Sequence, residues 1–250
     1  MSQFPQTLKT WRKARRFSQL DLALEADVST RHISFLETGR AQPSREMIGR
    51  LGDALNLPLE SRNLMLTHAG FAARYPGRDW HDDVMMPVRA AVSHVLTGHA
   101  PFPALALDRL WNVVEMNEPA GRLFGMLSVE KGSSLLDLMM SDLLPTVIEN
   151  WPEVAHHSAQ RLRIESISQG GVTALDRVVE HLSALARERV ENPTAVVPTV
   201  YNAGGIRFSL FSTIAQFGSP ADLTLDDLKI ELFFPNDKPT EDALRALDAA

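Results

Sequence analysis

The sequence of 250 residues contains no cysteine. Disulfides and thiolate metal sites are therefore excluded, and a reducing compartment such as the cytoplasm is favoured. Long apolar runs are missing too: no stretch approaches the roughly 18 uninterrupted apolar residues that a membrane span needs. The first residues are polar and basic, unlike a signal peptide. We therefore expect a cytoplasmic protein that does not associate with a membrane.

Motifs that carry catalysis are also lacking. The sequence has neither a glycine-rich phosphate loop nor a nucleophile elbow. His156 and His157 are adjacent, so they point to different faces of a helix and do not form the i, i+4 pair of a metal site. The cluster at residues 81–83 is better explained as a solvated loop or an acid-rich helix start. We accordingly predict no enzyme, no catalytic residue, no metal and no cofactor.

The charges that are present are distributed unequally. The net charge is −6, yet residues 1–70 carry ten Lys and Arg against seven Asp and Glu, and residues 71–250 carry fifteen against twenty-four. Five of the early positive charges fall within residues 9–16. A basic N-terminal part followed by an acidic remainder indicates that the two parts have different partners. A solvated helix face would give the same pattern.

Five short helices are predicted within residues 1–70, the first from about Gln6 to Arg16. Ser18, Ser29 and Ser44 each stand where a serine side chain can cap the start of a helix. Gly39 stands where a glycine ends one. The second and third helices are roughly eight residues each and are joined by a tight turn, with the small Ala23 where they cross. This arrangement is typical of a helix-turn-helix.

At this point the sequence resembles the phage-repressor-like (XRE-type) helix-turn-helix family of bacterial regulators. The resemblance rests on Ser18-Gln19, Leu22-Ala23, Val28-Ser29, Ile33, Leu36-Glu37, Gly39 and Pro43-Ser44. One residue departs from it: Asp27 occupies a turn position where the family usually has glycine. Aspartate tolerates the left-handed conformation better than most residues, so we expect the turn to form.

The resemblance implies that the third helix enters the DNA major groove with its N-terminal residues at the base edges. Arg31 is the best candidate for a bidentate contact to guanine, and Phe35 would pack either on a thymine methyl or in the core. Arg12 and Glu37 match a family pair that forms a buried ion bridge. A helix-turn-helix kept only for protein contacts is the alternative. The predicted DNA-binding residues are Gln19, Ser29, Thr30, Arg31, Ser34, Phe35, Arg40 and Arg45, with Gln19, Arg40 and Arg45 on phosphates.

Residues 71–83 mix glycine, proline, aromatic and charged residues without periodicity, and are predicted to be a linker. Beyond them a helix precedes two strands at 104–107 and 111–116, a helical block and three late strands, with a Gly204-Gly205 turn in the last group. That order predicts an α+β domain with a single antiparallel sheet covered by helices on one face. The predicted late elements are strands 196–201, 206–215 and 229–234, after helices 134–144, 146–168 and 172–190.

The second half resembles a PAS-type sensor fold and, more closely, the ligand-binding domain of MmyB-like transcription regulators. The resemblance rests on residues 103–125, on Asn150-Trp151 with Arg163, and on residues 211–237. It implies a fatty-acid-like ligand, for which Arg163 would supply the cation unless it is paired structurally with an acid. The predicted ligand-binding residues are Trp111, Met116, Phe124, Trp151, His157, Arg163 and Phe208.

We therefore predict an all-α helix-turn-helix domain at residues 1–70 and an α+β, PAS-like domain at residues 84–250. The predicted function is a ligand-responsive transcriptional regulator that binds an operator as a homodimer and senses a small amphiphile such as a fatty acid. A dimer of this kind reads half-sites about 34 Å apart. Two alternatives remain open: a constitutive repressor whose second domain only dimerises, and a small-molecule-modifying enzyme with a DNA-binding head.

Overall fold

The computed structural model describes residues 3–185, 196–203, 205–218 and 220–249. They fall into two compact units. The first comprises Met1–Gly77, Glu165–Val172 and Ser219–Asp226, and the second comprises Arg78–Ile164, Thr173–Gly218 and Asp227–Ala250. The segment predicted as a linker is thus divided between the units, and two short segments of the later sequence belong to the first.

Five helices form the N-terminal part of the first unit: α1 (Phe4–Ala14), α2 (Gln19–Glu25), α3 (Thr30–Glu37), α4 (Arg45–Ala54) and α5 (Leu59–His68). The side chains of Ser18, Ser29 and Ser44 accept hydrogen bonds from backbone N–H groups in the first turns of α2, α3 and α4, as predicted. These bonds satisfy donors that a helix start otherwise leaves unpaired. Helix α1 begins earlier than predicted, because Pro5 suits the first turn, where its missing N–H costs nothing.

The helix-turn-helix is confirmed as a compact pair on a shared apolar core. Ala23 is 2% exposed, and its small side chain lets α2 and α3 cross closely. Asp27 has a φ of 51° in the turn between them, and the N–H of Val28 donates to the Ala23 carbonyl oxygen. Aspartate thus adopts the left-handed turn conformation. The residues buried beneath the pair include Leu8, Leu22, Ile33 and Leu36.

The second unit is α+β with one antiparallel sheet, which confirms the predicted class. Its strands are β1 (Ala104–Leu107), β2 (Val113–Met116), β3 (Thr199–Ala203), β4 (Ile206–Gln216) and β5 (Lys229–Pro235). The further α-helices among the described residues are α6 (Met86–Gly98), α7 (Glu118–Gly125), α8 (Leu135–Met139), α9 (Leu144–Val147), α10 (Trp151–Ser168), α11 (Thr173–Leu185), α12 (Leu223–Asp226) and α13 (Lys238–Asp248). Of these, α12 and the last residues of α10 belong to the first unit.

The five strands lie in the order β2-β1-β5-β4-β3, and every neighbouring pair is antiparallel. Strand β5 is therefore central. Its Glu231 lies opposite Leu105 on one side and Ile214 on the other, and is 5% exposed. A carboxylate so placed needs a partner within the protein.

The helical block between β2 and β3 differs in detail from the predicted pattern. Residues predicted as two helices form three, and the third, α10, begins at Trp151 because Pro152 is tolerated only in a first turn. Trp111, predicted in a strand, has a φ of 61° and lies in the turn before β2. There the Asp108 carboxylate accepts hydrogen bonds from the backbone N–H groups of Leu110 and Asn112 and holds the turn.

Two sequence predictions fall partly outside the described residues: the end of the helix at 172–190, seen as α11 up to Leu185, and Gly204 of the β3–β4 turn. Within the described ranges, no helix is both long enough and apolar enough to cross a membrane.

Candidate functional site

The first turn of α3 presents polar side chains on the outside of the first unit. Ser29 caps the turn through its side-chain oxygen, 3.2 Å from the His32 backbone nitrogen. Arg31 is exposed, and Thr30 and Ser34 are partly exposed. Four of the residues predicted to bind DNA, Ser29, Thr30, Arg31 and Ser34, thus lie in or next to the first turn of α3.

Arg31 and Phe35, one turn apart on α3, form a stacked pair. The Arg31 guanidinium carbon lies 5.2 Å from the centroid of the Phe35 ring. Phe35 is partly buried, so its ring has an inner edge in the protein and an outer part that carries the arginine. The core alternative for Phe35 is thus only partly met, and its contact with DNA stays a prediction.

A buried ion pair ties α1 to the end of α3, as the resemblance implied. Arg12 Nε and Nη2 donate to the two oxygens of Glu37, at 2.6 Å and 3.0 Å, and Gln19 Nε2 donates to Glu37 at 2.8 Å. Burial by itself raises the pKa of Glu37, but the hydrogen bonds from Arg12 and Gln19 and the positive charge of Arg12 outweigh it and hold that pKa below its usual value. Because Gln19 belongs to this network, at most one of its amide N–H groups is left for a phosphate.

Arg40 and Arg45 lie on the exposed surface that follows α3. The Arg45 guanidinium carbon sits 5.0 Å from the centroid of the Phe71 ring, which limits where that side chain can point. Phosphate contacts by these two arginines stay a prediction.

The second unit contains a cavity of about 230 Å³ between α10 and the sheet. Its walls are mostly apolar, with Leu105, Phe124, Leu144, Ile148 and Phe233 among the lining residues. A cavity of this kind, somewhat below the roughly 300 Å³ at which ligand pockets usually begin, suits a small apolar molecule with few polar groups.

A charged cluster lines one part of the cavity wall. Arg161 Nη1 lies 3.0 Å from Glu231 Oε1, and Ser212 Oγ donates to the same oxygen at 2.6 Å. The Arg161 guanidinium also stacks on the Trp111 ring, with its carbon 4.4 Å from the centroid. Its other terminal nitrogen, Nη2, is buried and has no acceptor among the described residues. The cluster therefore holds a cation with one buried NH₂ group that has no acceptor among the described residues.

A second unused donor belongs to Trp151 at the start of α10. This residue is 6% exposed, and its indole Nε1 has no acceptor within the described part of the chain. Tyr201 also lines the cavity, where burial raises the pKa of its hydroxyl far above the usual range and the negative charge of Glu231 adds to the effect. The cavity therefore presents a neutral phenol.

Four of the seven residues predicted to bind ligand line this cavity: Trp111, Phe124, Trp151 and His157. Three do not. Phe208 is 1% exposed in the core, Met116 lies elsewhere, and Arg163 is on the exposed face of α10, where Nη2 is 3.3 Å from Ser183 Oγ. Arg161 and Glu231 also line the cavity but are not among the predicted ligand-binding residues, although the helical spacing of Arg161 from Trp151 indicates that Arg161 belongs there.

These features define a class of protein: a transcription regulator in which a helix-turn-helix accompanies a ligand-binding α+β unit. Residues 8–61 match a helix-turn-helix family model. Residues 88–247 match the model described as MmyB-like transcription regulator ligand binding domain. The latter match spans more than half of the chain, so the chain belongs to the MmyB-like family.

No curated protein matches the chain. Among solved structures it is similar to the one described as "Structure of an RNA-binding Light-Oxygen-Voltage Receptor", with 13% sequence identity and a TM-score of 0.28. The similarity covers 100% of this chain but 63% of the other. A likeness of that strength bears on neither the fold nor the function of this chain.

Proposed function

We propose that this chain is a cytoplasmic regulator with a PAS-type sensor unit, which binds a small anionic amphiphile such as a fatty acid and controls operator binding by a homodimer. The observation that carries the proposal is Arg161: a cation with a buried, unused N–H lines a cavity that is otherwise mostly apolar. A carboxylate supplies the acceptor, and its alkyl chain fills the apolar part.

On the DNA side, we assign base reading to the exposed start of α3. Stacking on Phe35 limits the orientations of Arg31 and reduces the entropy that a bidentate contact to guanine would cost. Arg40 and Arg45 would hold phosphates, and a twofold dimer would present two such helices about 34 Å apart.

The ligand would act by shifting the population of dimers competent for DNA. It can do so only if its affinity differs between the two states. A rival function, a constitutive repressor with an empty second unit, predicts instead that DNA affinity is the same with and without amphiphile.

The test uses the purified full-length chain. Organic extraction followed by mass spectrometry should release an anionic amphiphile from the wild type, and added decanoate should change operator affinity in a gel-shift assay. Arg161→Met should lose the amphiphile. Arg163→Met, which removes an exposed arginine from the same helix, is the matched control and should retain it.

Because Arg161→Met leaves Glu231 unpaired, the double variant Arg161→Met with Glu231→Leu checks that loss of ligand is not loss of fold. Retention of an anionic amphiphile by the folded double variant would contradict the assignment of Arg161. A wild type that yields no amphiphile and does not respond to decanoate would contradict the sensor function.

A further inference from the structure

We infer that the ligand carries a hydrogen-bond acceptor at each end: an anionic group for Arg161 and a second, neutral acceptor for Trp151, joined by an apolar chain. This inference rests on the proposed function, because it concerns the ligand of the same cavity. The inference goes beyond the proposed function, since a simple fatty acid has one polar end only.

Two buried donors lack acceptors in the described protein, Arg161 Nη2 and Trp151 Nε1. Leaving a buried donor unsatisfied is costly, so such groups in a folded protein usually have a partner. Stacking on Trp111 covers the face of the Arg161 guanidinium and not its N–H edge. Both residues line the cavity, so a molecule within it is well placed to supply both acceptors.

The two donors are too far apart for one head group. Trp151, Val154, Ser158 and Arg161 form a single stripe along α10 where it lines the cavity. At about 1.5 Å per residue, Trp151 and Arg161 are separated along the axis by roughly 15 Å. Helical side chains lean toward the N-terminus, so both shift in the same direction and the separation persists.

The hydrogen bonds between α10 and the sheet also indicate that the two donors are far apart. Asn150, next to Trp151, is hydrogen-bonded to Pro198 and Val200 at the start of β3. Arg161 is paired with Glu231 on β5, two strands away, which corresponds to roughly 10 Å across the sheet. Helix α10 therefore crosses strands β3 to β5, and a carboxylate at Arg161 does not reach Trp151.

The two ends differ in chemistry. At Arg161 a cation favours an anion, although Glu231 occupies one of its donors. At Trp151 the indole offers a single neutral donor, which suits a hydroxyl, carbonyl or ester oxygen. Val154 and Ser158 lie between them on the stripe, and most of the remaining lining is apolar. An ω-hydroxylated or ω-oxygenated carboxylate has this pattern.

The experiment compares decanoate with ω-hydroxydecanoate by isothermal titration calorimetry on the delipidated full-length protein. The wild type should bind the hydroxy acid roughly five- to tenfold more tightly, as expected when one otherwise unsatisfied donor gains an acceptor. Trp151→Phe keeps an aromatic ring and removes the N–H, so it should abolish this preference. Trp80→Phe, at a tryptophan outside the lining, should retain the preference.

A chain-length series from octanoate to dodecanoate gives a second readout that needs no variant. With both ends fixed, the advantage of the ω-hydroxy acid should peak at one length, whereas plain acids should gain affinity as apolar surface increases. Equal binding of both compounds at every length would overturn the inference and leave the proposed function standing. Failure of all these acids to bind would count against the proposed function itself.

Discussion

Replacing Arg12 by methionine tests whether the buried ion pair fixes the helix-turn-helix. The Arg12 side chain is 11% exposed and that of Glu37 is 2% exposed. Arginine also donates to the Phe17 carbonyl oxygen, at 2.7 Å. Methionine fills most of the space but provides none of these donors. The Glu37 carboxylate would then keep only the hydrogen bond from the Gln19 amide.

Removing one partner from a buried pair leaves an uncompensated charge and typically costs about 3–5 kcal/mol of the free energy of unfolding. Replacing both partners removes the stranded charge, so Arg12→Met combined with Glu37→Leu should recover most of that loss. Glu118→Gln, in the exposed pair with Arg122, serves as the control and should cost roughly 0.5 kcal/mol or less.

The assay is urea denaturation followed by circular dichroism, with hydrogen exchange to locate the change in α1–α3. The pH dependence gives a second check. Because the folded state lowers the pKa of Glu37 below its ordinary 4.5, the contribution of the pair is complete above about pH 4.5 and is lost as the pH falls through the lowered value. The double variant should lack that acid step. If Arg12→Met and the double variant were equally destabilised, the stranded-charge reasoning would be refuted.

Two further predictions concern the first unit. Arg31→Ala should relax sequence preference at one base pair, with about 1–3 kcal/mol of discrimination lost. Arg40→Ala should instead weaken binding to all DNA and reduce the dependence of log affinity on log salt concentration by roughly one. Both are measured by fluorescence anisotropy, and unchanged specificity in Arg31→Ala would exclude Arg31 as the base-reading residue. Gly170 and Gly171 both have positive φ, but a Cβ at Gly170 would lie 2.4 Å from a Trp11 ring carbon, and one at Gly171 would meet nothing within 4 Å. Gly170→Ala should therefore cost about 1–3 kcal/mol more than Gly171→Ala in urea denaturation, and equal costs would show that this packing against Trp11 does not form.

The helix-turn-helix could be predicted closely because its determinants are local. A serine cap, a turn residue and a C-terminal glycine each act within a few residues, and Ser18, Ser29, Ser44 and Gly39 all behave as their spacing indicates. The membership of residues 165–172 in the first unit could not be predicted in this way. It depends on contacts such as that between the Arg15 guanidinium and the Ser168 carbonyl oxygen, which are distant in sequence.

Which arginine of α10 lines the cavity follows from helical spacing counted from Trp151. Arg163 matches a family position, but two residues along a helix turn the side chain through about 200°, so Arg161 and Arg163 point to nearly opposite faces. The sequence predicts that Trp151 contacts ligand, and its stripe, continued at helical spacing, leads to Arg161 and not to Arg163. The partner of Arg161, Glu231, lies 70 residues later on β5. No sequence pattern couples the two residues, because the pairing exists only once α10 crosses the sheet.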